Sequence, residues 1–275
     1  MKTIFTIFAG RKVYLEILFT YLDRLLERGL LTEVHLWDYT REKSDEEYIE
    51  KICQEKEHYK LMKLKNPDKK GAWNWGEYYS YYSKTAKYDD EDIIIKCDDD
   101  IVYIDLNKFE AFLSEVTDKG LYFPNIINND ACAYIQTQNG VHDFLKTVSL
   151  KRLELGADMP LTSWYMDHGA ACRILKLFLE DKERFKLDIP NIKWGSRISI
   201  NMFAGRFKTI KNYYEQFKYK GRRDDEAFLS GRVCKLNNQE NTIVPFFNVA
   251  HFAFGPQNSK KLEEKFLSSF QQLAK

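Results

Sequence analysis

The chain has 275 residues, of which 44% are apolar and 15% aromatic, enough for one large α/β domain or two small ones. Its 42 lysines and arginines balance 41 acids, and the resulting net charge of +1 argues against a dedicated nucleic-acid-binding protein. No stretch approaches the roughly 20 apolar residues that span a bilayer, and the five scattered cysteines form no CxxC pair. We therefore expect a cytoplasmic protein without a transmembrane segment.

The first part of the chain alternates between strand and helix patterns. Short apolar runs predict strands, and apolar residues at helical spacing predict helices, one of which opens with a capping-box pattern of Ser44 and Glu47. In chain order we predict strand Thr3–Phe8, helix Arg11–Gly29, strand Glu33–Tyr39, helix Ser44–Tyr59, helix Asn74–Tyr88 and strand Asp92–Cys97. This alternation is typical of a parallel, Rossmann-like sheet, in which ligands bind beyond the carboxyl ends of the strands.

The second part of the chain has a less regular pattern. Its predicted elements are helix Asp105–Val116, strands Gly120–Ile127 and Ala131–Thr137, helix Met166–Asp181, strands Arg197–Ala204 and Asn241–Phe254, and helix Asn258–Lys275. The last helix has four apolar residues on one face, namely Leu262, Phe266, Phe270 and Leu273, and is expected to pack through all of them. Because no repeat or clear linker interrupts the chain, we predict a single domain over residues 1–275.

Three consecutive aspartates, Asp98 to Asp100, directly follow the apolar strand. A second β-like run, Ile101–Asp105, begins at once, so the triplet lies in a tight bend between two ordered segments. Mn²⁺ and Mg²⁺ prefer oxygen ligands and are commonly bound by one or two carboxylates together with substrate phosphates. The pattern indicates either a divalent metal site at the end of a strand or a solvated acidic turn.

The segment KTAKYDDEDIIIKCDDDIVYID, residues 84–105, resembles the DXD region of the GT-A glycosyltransferases. In that region a helix, an acidic turn, an apolar strand, Asp-x-Asp and a short strand follow one another. The resemblance implies an α/β fold of GT-A type, which is Rossmann-like and has a mixed sheet with flanking helices. It also implies a nucleotide-sugar-binding half at residues 1–105 and an acceptor-binding half at residues 106–275.

The roles of the three aspartates follow from the same resemblance. The first acid of the family motif meets the sugar nucleotide and the last one ligates the metal. Carried over to this chain, Asp98 faces the nucleotide sugar and lies at the metal, whereas Asp100 binds Mn²⁺ or Mg²⁺ directly. Asp99, between them, has an auxiliary role in binding the nucleotide sugar.

The resemblance implies further nucleotide-binding positions, each with a structural alternative. Residues Ala9, Gly10 and Arg11 end the first strand, where GT-A enzymes hold the base and ribose; Arg11 either meets phosphate or is solvated at a helix start. Asp38 ends the second strand and either faces the uridine or caps a loop. Lys84 either points toward the diphosphate or is an exposed helical lysine.

The segment GRRDDEAFLSG, residues 221–231, is similar to the acidic segment of inverting GT-A enzymes, in which a carboxylate at a helix N-terminus is the catalytic base. Aligning Phe228 with the aromatic residue of that segment makes Asp225 the base and Glu226 the second candidate. The alternative is helix capping, for which Asp224 is placed best. Because acids near a helix start are stabilised in their charged form, this position is expected to lower the pKa of Asp225.

Two more groups of residues complete the predicted site. Many GT-A enzymes take a metal ligand from a histidine after a late strand, and His251 matches that position, although a histidine satisfied in the core is the alternative. Trp164, Asp167 and His168 combine an aromatic face with hydrogen-bonding groups, as an acceptor-binding site for a sugar requires. Helix capping and packing explain these three residues equally well.

Together these resemblances imply an inverting, metal-dependent glycosyltransferase. It would move a sugar such as xylose, glucose, galactose or N-acetylglucosamine from a UDP-sugar to a hydroxyl of an oligosaccharide or glycoprotein glycan. The chain looks more like bacterial enzymes or those of large algal viruses, which implies the cytoplasm, or the host cytoplasm if the source is a virus. The alternatives are a nucleotidyltransferase, which would release pyrophosphate, and a non-catalytic carbohydrate-binding module.

Overall fold

The computed structural model describes residues 1–65, 76–143, 168–220, 224–252 and 255–275. Nine strands of these ranges form one mixed sheet. They are β1 (Thr3–Ala9), β2 (Glu33–Asp38), β3 (Tyr59–Met62), β4 (Ile93–Asp98), β5 (Ile101–Ile104), β6 (Tyr122–Ile127), β7 (Ile192–Trp194), β8 (Met202–Arg206) and β9 (Asn241–His251). The strand order is β3-β2-β1-β4-β8-β6-β9-β5, and β7 also pairs with β9.

The sheet has a parallel part and a mixed part. Strands β3, β2, β1 and β4 are all parallel, and the side chains of β1 and β4 are buried along almost their whole length, as the apolar runs predict. From β8 onward the pairing is mixed: β8 is antiparallel to β4 and β6, whereas β9 is parallel to β6 and antiparallel to β5. Strands from both halves of the chain therefore belong to one sheet.

Helices flank the sheet. They are α1 (Lys12–Glu27), α2 (Lys43–Glu55), α3 (Gly76–Lys84), α4 (Phe109–Glu115), α5 (Asp130–Gln138), α6 (His168–Glu180), α7 (Phe207–Lys220), α8 (Asp225–Ala227), α9 (Val233–Asn237) and α10 (Lys260–Ala274). A π-helical turn at Phe228–Arg232 joins α8 to α9. The predicted α/β fold, a mixed sheet with flanking helices, is confirmed. Within the described ranges, no helix is both long and apolar enough to cross a membrane.

The predicted strand Ala131–Thr137 is wrong, because this segment is part of α5. The side chain of Asn129 caps the helix by accepting a hydrogen bond from the Cys132 N–H at 3.2 Å. Gln136, a polar residue that faces the interior, donates to the side-chain oxygen of Asn125 at 2.8 Å. The buried amide pair, which sequence spacing does not reveal, stabilises the helix against β6.

Several predicted boundaries also differ from the structure. The helix predicted at Ser44–Tyr59 begins at Lys43 after Glu42, whose side chain makes no cap, so the capping box is wrong. The same helix ends at Glu55, and Tyr59 instead begins β3, an edge strand that the sequence analysis missed. Farther along the chain, the strand expected at Arg197–Ala204 is shifted and runs from Met202 to Arg206; α7, which follows it, was not predicted.

The terminal helix packs through most of the predicted face. The buried residues of α10 are Phe266, Leu267, Phe270 and Ala274, and Leu273 is partly buried against the core, so three of the four predicted contacts are present. Leu262 is 41% exposed and takes no part in the core. Glu263, in the first turn of α10, instead accepts a hydrogen bond from the hydroxyl of Tyr14 in α1. This contact holds the start of α10 against α1.

Gly120 stands at a point where the backbone requires glycine. Its φ is +148°, and a Cβ there would lie 2.5 Å from the carbonyl oxygen of Glu240. We expect Gly120→Ala to lower the free energy of unfolding by about 1–3 kcal/mol, the usual cost of such strain. Gly76 is the matched control, since it has open space around its Cβ position and begins a helix. Urea unfolding of both variants measures the difference, and an equal loss in both would contradict the prediction.

Candidate active site

A cavity of about 340 Å³ opens at the carboxyl ends of β1 and β4, where Phe8 and Asp98 are register partners. From β1 the chain continues to β2 on one side, whereas β4 lies on the other side, so the strand order reverses at this point. Open α/β sheets bind their ligands at such switch points. The residues that line the cavity include Arg11, Lys96, Asp98, Asp100, Asp225 and His251.

Arg11 and Asp99 bind the end of β1 to the aspartate triplet. Asp99 accepts hydrogen bonds from the Gly10 N–H and from Arg11 Nε, each at 3.1 Å. Arg11 Nη2 donates to Asp99 Oδ1 at 2.5 Å and to Asp100 Oδ2 at 2.9 Å. Burial raises the pKa of Asp99, and the guanidinium of Arg11 opposes this effect. Arg11 is thus an internal partner of the triplet, and a Cβ on Gly10 would crowd Asp99 at 3.1 Å.

Asp98, Asp100 and His251 form a cluster whose candidate ligand atoms all lie within 4.8 Å of one another. Nδ1 of His251 faces the carbonyl oxygen of Asn128 at 3.4 Å; because a carbonyl can only accept, Nδ1 carries the proton. Nε2, the other ring nitrogen, lies 3.2 Å from Asp100 Oδ1 and is the one that could ligate a cation. A backbone carbonyl on the distal nitrogen is typical of metal-binding histidines. Two carboxylates and a neutral imidazole therefore fit a Mn²⁺ or Mg²⁺ ion.

The charge state of this cluster follows from its burial and its pairs. Burial favours the neutral imidazole of His251 and so lowers its pKa. The carboxylate of Asp100 outweighs the effect of burial and raises the pKa of His251. Burial alone would raise the pKa of Asp100. His251 and Arg11 outweigh this effect and hold the pKa of Asp100 well below the usual range. Asp100 is therefore ionised across the physiological pH range, as a metal ligand must be.

Asp225 and Glu226 lie on the wall of the same cavity, at the start of α8. Asp225 Oδ2 accepts a hydrogen bond from the hydroxyl of Tyr79 at 2.6 Å, and its Oδ1 accepts one from the Glu226 N–H at 3.0 Å. Glu226 is paired with Arg197, whose Nε donates to Oε1 at 2.8 Å. Asp224 caps the helix through the Ala227 N–H at 2.9 Å, so the capping role belongs to Asp224.

The expectation that the helix start lowers the pKa of Asp225 is wrong. Burial raises its pKa, and this effect outweighs the hydrogen bond from Tyr79 and the charge of Lys96. Burial also raises the pKa of Glu226, although Arg197 opposes it. A raised pKa makes a carboxylate a stronger base. Of the two acids, Asp225 is held by neutral donors, whereas Glu226 is held by a cation.

Several residues that line the cavity were missed by the sequence analysis, among them Lys96 and Asn201. Lys96 is 2% exposed and donates hydrogen bonds to Asp98 and to the carbonyl oxygen of Ile200. Asn201 donates its amide to Asp98 Oδ2 at 3.2 Å and contacts His251 Nε2, also at 3.2 Å. A lysine inside an apolar strand, two positions before an aspartate and so on the same face, was a readable signal for Lys96. Asn201 lies just before β8 and carries no such signal.

The other predicted site residues have different environments. Ala9 is fully buried in β1, and the buried Asp38 accepts hydrogen bonds from both the backbone N–H and the hydroxyl of Thr40. Lys84 is exposed at the end of α3 and lines a separate cavity beside β3. Among the described residues, these three do not line the cavity at β1 and β4. Of the predicted acceptor-binding residues, Trp164 and Asp167 lie outside the described ranges, and only the backbone of His168 is described.

Comparison with known proteins identifies the fold. No protein-family profile matches the chain, and no curated protein does. Among solved structures, it is similar to the galactosyltransferase LgtC in complex with donor and acceptor sugar analogues, with 10% identity, a TM-score of 0.50, and coverage of 100% of this chain and 95% of that chain. It is also similar to 4-diphosphocytidyl-2C-methyl-D-erythritol synthase from Anaerococcus prevotii DSM 20548, with 11% identity, a TM-score of 0.47, and coverage of 100% and 96%.

The likeness to LgtC shows the fold alone, since the sequences are only 10% identical. It confirms the predicted fold class, a GT-A-like, Rossmann-like α/β fold, and the match covers 100% of this chain. The roles of the individual site residues and the single-domain organisation stay predictions.

Proposed function

We propose that the protein is a metal-dependent glycosyltransferase that moves a sugar from a nucleotide sugar, most simply a UDP-sugar, to a hydroxyl of a glycan acceptor with inversion. The observation that carries this proposal is the shared cavity. It brings Asp98, Asp100 and His251, a ligand set for a divalent cation, together with Asp225, a partly buried carboxylate of raised pKa. Metal-dependent transfer with inversion uses both features in one site: a cation at the leaving diphosphate and a base at the acceptor hydroxyl.

In the proposed reaction, one proton moves to the protein and one bond is exchanged at the anomeric carbon of the donor sugar. Asp225 accepts the proton of the acceptor hydroxyl as its oxygen attacks the anomeric carbon of the donor sugar. The bond from that carbon to the phosphate oxygen breaks, and the nucleoside diphosphate leaves with the electron pair. Asp98, Asp100 and His251 would hold Mn²⁺ or Mg²⁺. The positive charge of this ion would offset the negative charge of the diphosphate. Tyr79 fixes the orientation of the Asp225 carboxylate through its hydrogen bond.

An assay of products tests the proposal against its alternatives. The full chain is incubated with Mn²⁺, a panel of UDP-glucose, UDP-galactose, UDP-xylose and UDP-N-acetylglucosamine, and methyl glycosides as acceptors. We expect release of UDP together with a disaccharide product from at least one pair. Formation of pyrophosphate from UTP and a sugar phosphate would instead identify a nucleotidyltransferase. Binding of sugar without consumption of any donor would identify a carbohydrate-binding module. A cytoplasmic location, in the host cell if the source is a virus, stays a prediction.

The pH dependence of transfer depends on the environment of Asp225. Because burial raises the pKa of this group, the acidic limb of the kcat/KM profile should lie above the usual range of an aspartate, and activity should fall as the pH drops through it. The hydrogen bond from Tyr79 lowers that pKa. Tyr79→Phe should therefore move the limb to higher pH. A profile that is unchanged in Tyr79→Phe would show that Asp225 is not the titrating base.

A further inference from the structure

Lys96 places a buried ammonium group in the wall of the cavity. Its side chain is 2% exposed, and its strand β4 pairs with β1 on one side and with β8 on the other, which fixes the backbone. The Nζ atom donates to the carbonyl oxygen of Ile200 at 2.6 Å and to Asp98 Oδ1, and it lies 4.9 Å from the ring centroid of Phe8. Burying an ammonium costs free energy unless hydrogen bonds and a counter-charge compensate for it.

The ammonium of Lys96 has more donors than the protein uses. It carries three N–H groups, and two of them are accounted for by Ile200 and Asp98. For the third, the part of the chain that the structure describes provides no acceptor. The charge of Lys96 also reaches Asp225, whose pKa it lowers. Lys96 therefore contacts Asp98 of the metal-ligand cluster and lines the same cavity as Asp225, with one donor group left for a ligand.

We propose that Lys96 donates this third hydrogen bond to an anionic phosphate oxygen of the nucleotide-sugar diphosphate, an inference that rests on the transferase function proposed above. A phosphate oxygen fits better than a neutral hydroxyl, because the ammonium is a point charge and charge-assisted hydrogen bonds are the stronger ones. Arg11 already donates through Nε and Nη2 to Asp99 and Asp100, so only its Nη1 group is left for a ligand, whereas the whole charge of Lys96 is balanced by Asp98 alone. In the proposed step, Lys96 offsets the negative charge that the diphosphate gains as the bond between the anomeric carbon and the bridging phosphate oxygen breaks.

Binding measurements separate this role from a purely structural one. Isothermal titration calorimetry with UDP and with uridine, both in saturating Mn²⁺, is carried out on the native protein and on Lys96→Met. We expect the affinity for UDP to fall by about tenfold to a hundredfold, the range for hydrogen bonds to charged groups. The affinity for uridine should stay the same, because uridine has no phosphate.

The matched control is Asn201→Ala, which removes the other side-chain hydrogen bond to Asp98. An equal loss of UDP affinity in Asn201→Ala and Lys96→Met would show that Lys96 acts only by holding Asp98, and would overturn the proposal. Equal losses for UDP and uridine, or no loss, would also overturn it. If thermal denaturation shows that Lys96→Met does not fold, Lys96→Gln replaces it. Its amide can still donate but carries no charge, so the affinity for UDP should fall by a smaller factor while that for uridine stays the same, and no loss for UDP would overturn the proposal.

The proposal for Lys96 and the proposed function can fail separately. If the native protein transfers no sugar but its affinity for UDP depends on Lys96 as described, the diphosphate site stands and the transferase function fails. If the native protein transfers sugar while Lys96→Met binds UDP with native affinity, only the role of Lys96 fails.

Discussion

Replacing Asp225 with asparagine is expected to lower the rate of sugar transfer by about 10²–10⁴-fold, the usual contribution of a general base. The affinity for the nucleotide sugar should change little. The amide has nearly the shape of the carboxylate, and its oxygen can still accept the hydrogen bond from Tyr79, so the cavity should keep its form. It cannot take up the proton of the acceptor hydroxyl. Initial rates of UDP release give kcat, and calorimetry gives the donor affinity.

The neighbouring acid provides the control for this experiment. Glu226→Gln should retain most of the activity, because Glu226 is paired with Arg197 and its role in the structure is to hold that guanidinium. An inactive Glu226→Gln beside an active Asp225→Asn would place the base one residue later in the chain. If both variants stay active, direct displacement with inversion is contradicted. The anomeric configuration of the product, measured by NMR, would then identify the mechanism.

Much of the fold is encoded in short stretches of sequence. The run from Ile93 to Ile95 is apolar on every residue, which suits a strand buried on both faces of a sheet, and the structure has β4 there. The acids that follow had to lie where that strand ends. Because β1 and β4 are parallel neighbours, Gly10, Arg11 and the triplet meet at one edge, which is why a local pattern could indicate this site.

The parts that sequence reasoning missed depend on contacts between distant segments. Tyr79 meets Asp225 only because α3 packs against α7, and α7 was not predicted at all. Asn201 reaches His251 across 50 residues, and nothing in its own neighbourhood distinguishes it from a loop asparagine. Segment Ala131–Thr137 was misassigned because its small and polar residues fit a strand as well as a helix. The Asn129 cap decides between the two.

The aspartate triplet also shows why one motif carries three separate roles. Successive residues of an extended segment or tight bend point in different directions, so each acid has a partner of its own, although Asp99 and Asp100 also share Arg11. Asp98 meets Lys96 and Asn201, Asp99 meets the β1–α1 turn through Arg11, and Asp100 meets His251. The middle acid, which the family motif leaves variable, here fixes the two strands that frame the cavity.

Asp100→Ala is expected to abolish the part of UDP binding that depends on Mn²⁺. The three candidate ligand atoms all lie within 4.8 Å of one another, so without Asp100 the cluster keeps one carboxylate and one imidazole. The diphosphate would then face Asp98 without a metal ion between the two negative charges. The variant also releases the Arg11 group that Asp100 holds at 2.9 Å. Some affinity for UDP should therefore persist without metal. Calorimetry with Mn²⁺ and with EDTA separates the two contributions.

The control for Asp100→Ala is His251→Ala, which removes a ligand that water can replace. Its affinity for Mn²⁺ should fall but remain measurable by electron paramagnetic resonance, because Asp98 and Asp100 are still present. Thermal denaturation must show that this variant is folded, since His251 is 4% exposed and also contacts Asn201. A His251→Ala protein that unfolds while its folded fraction binds Mn²⁺ with native affinity would make His251 a core residue. The metal site at the triplet would be ruled out if Asp100→Ala kept the native Mn²⁺-dependent affinity for UDP. Of the two acids in the cluster, only Asp100 forms ion pairs with both His251 and Arg11.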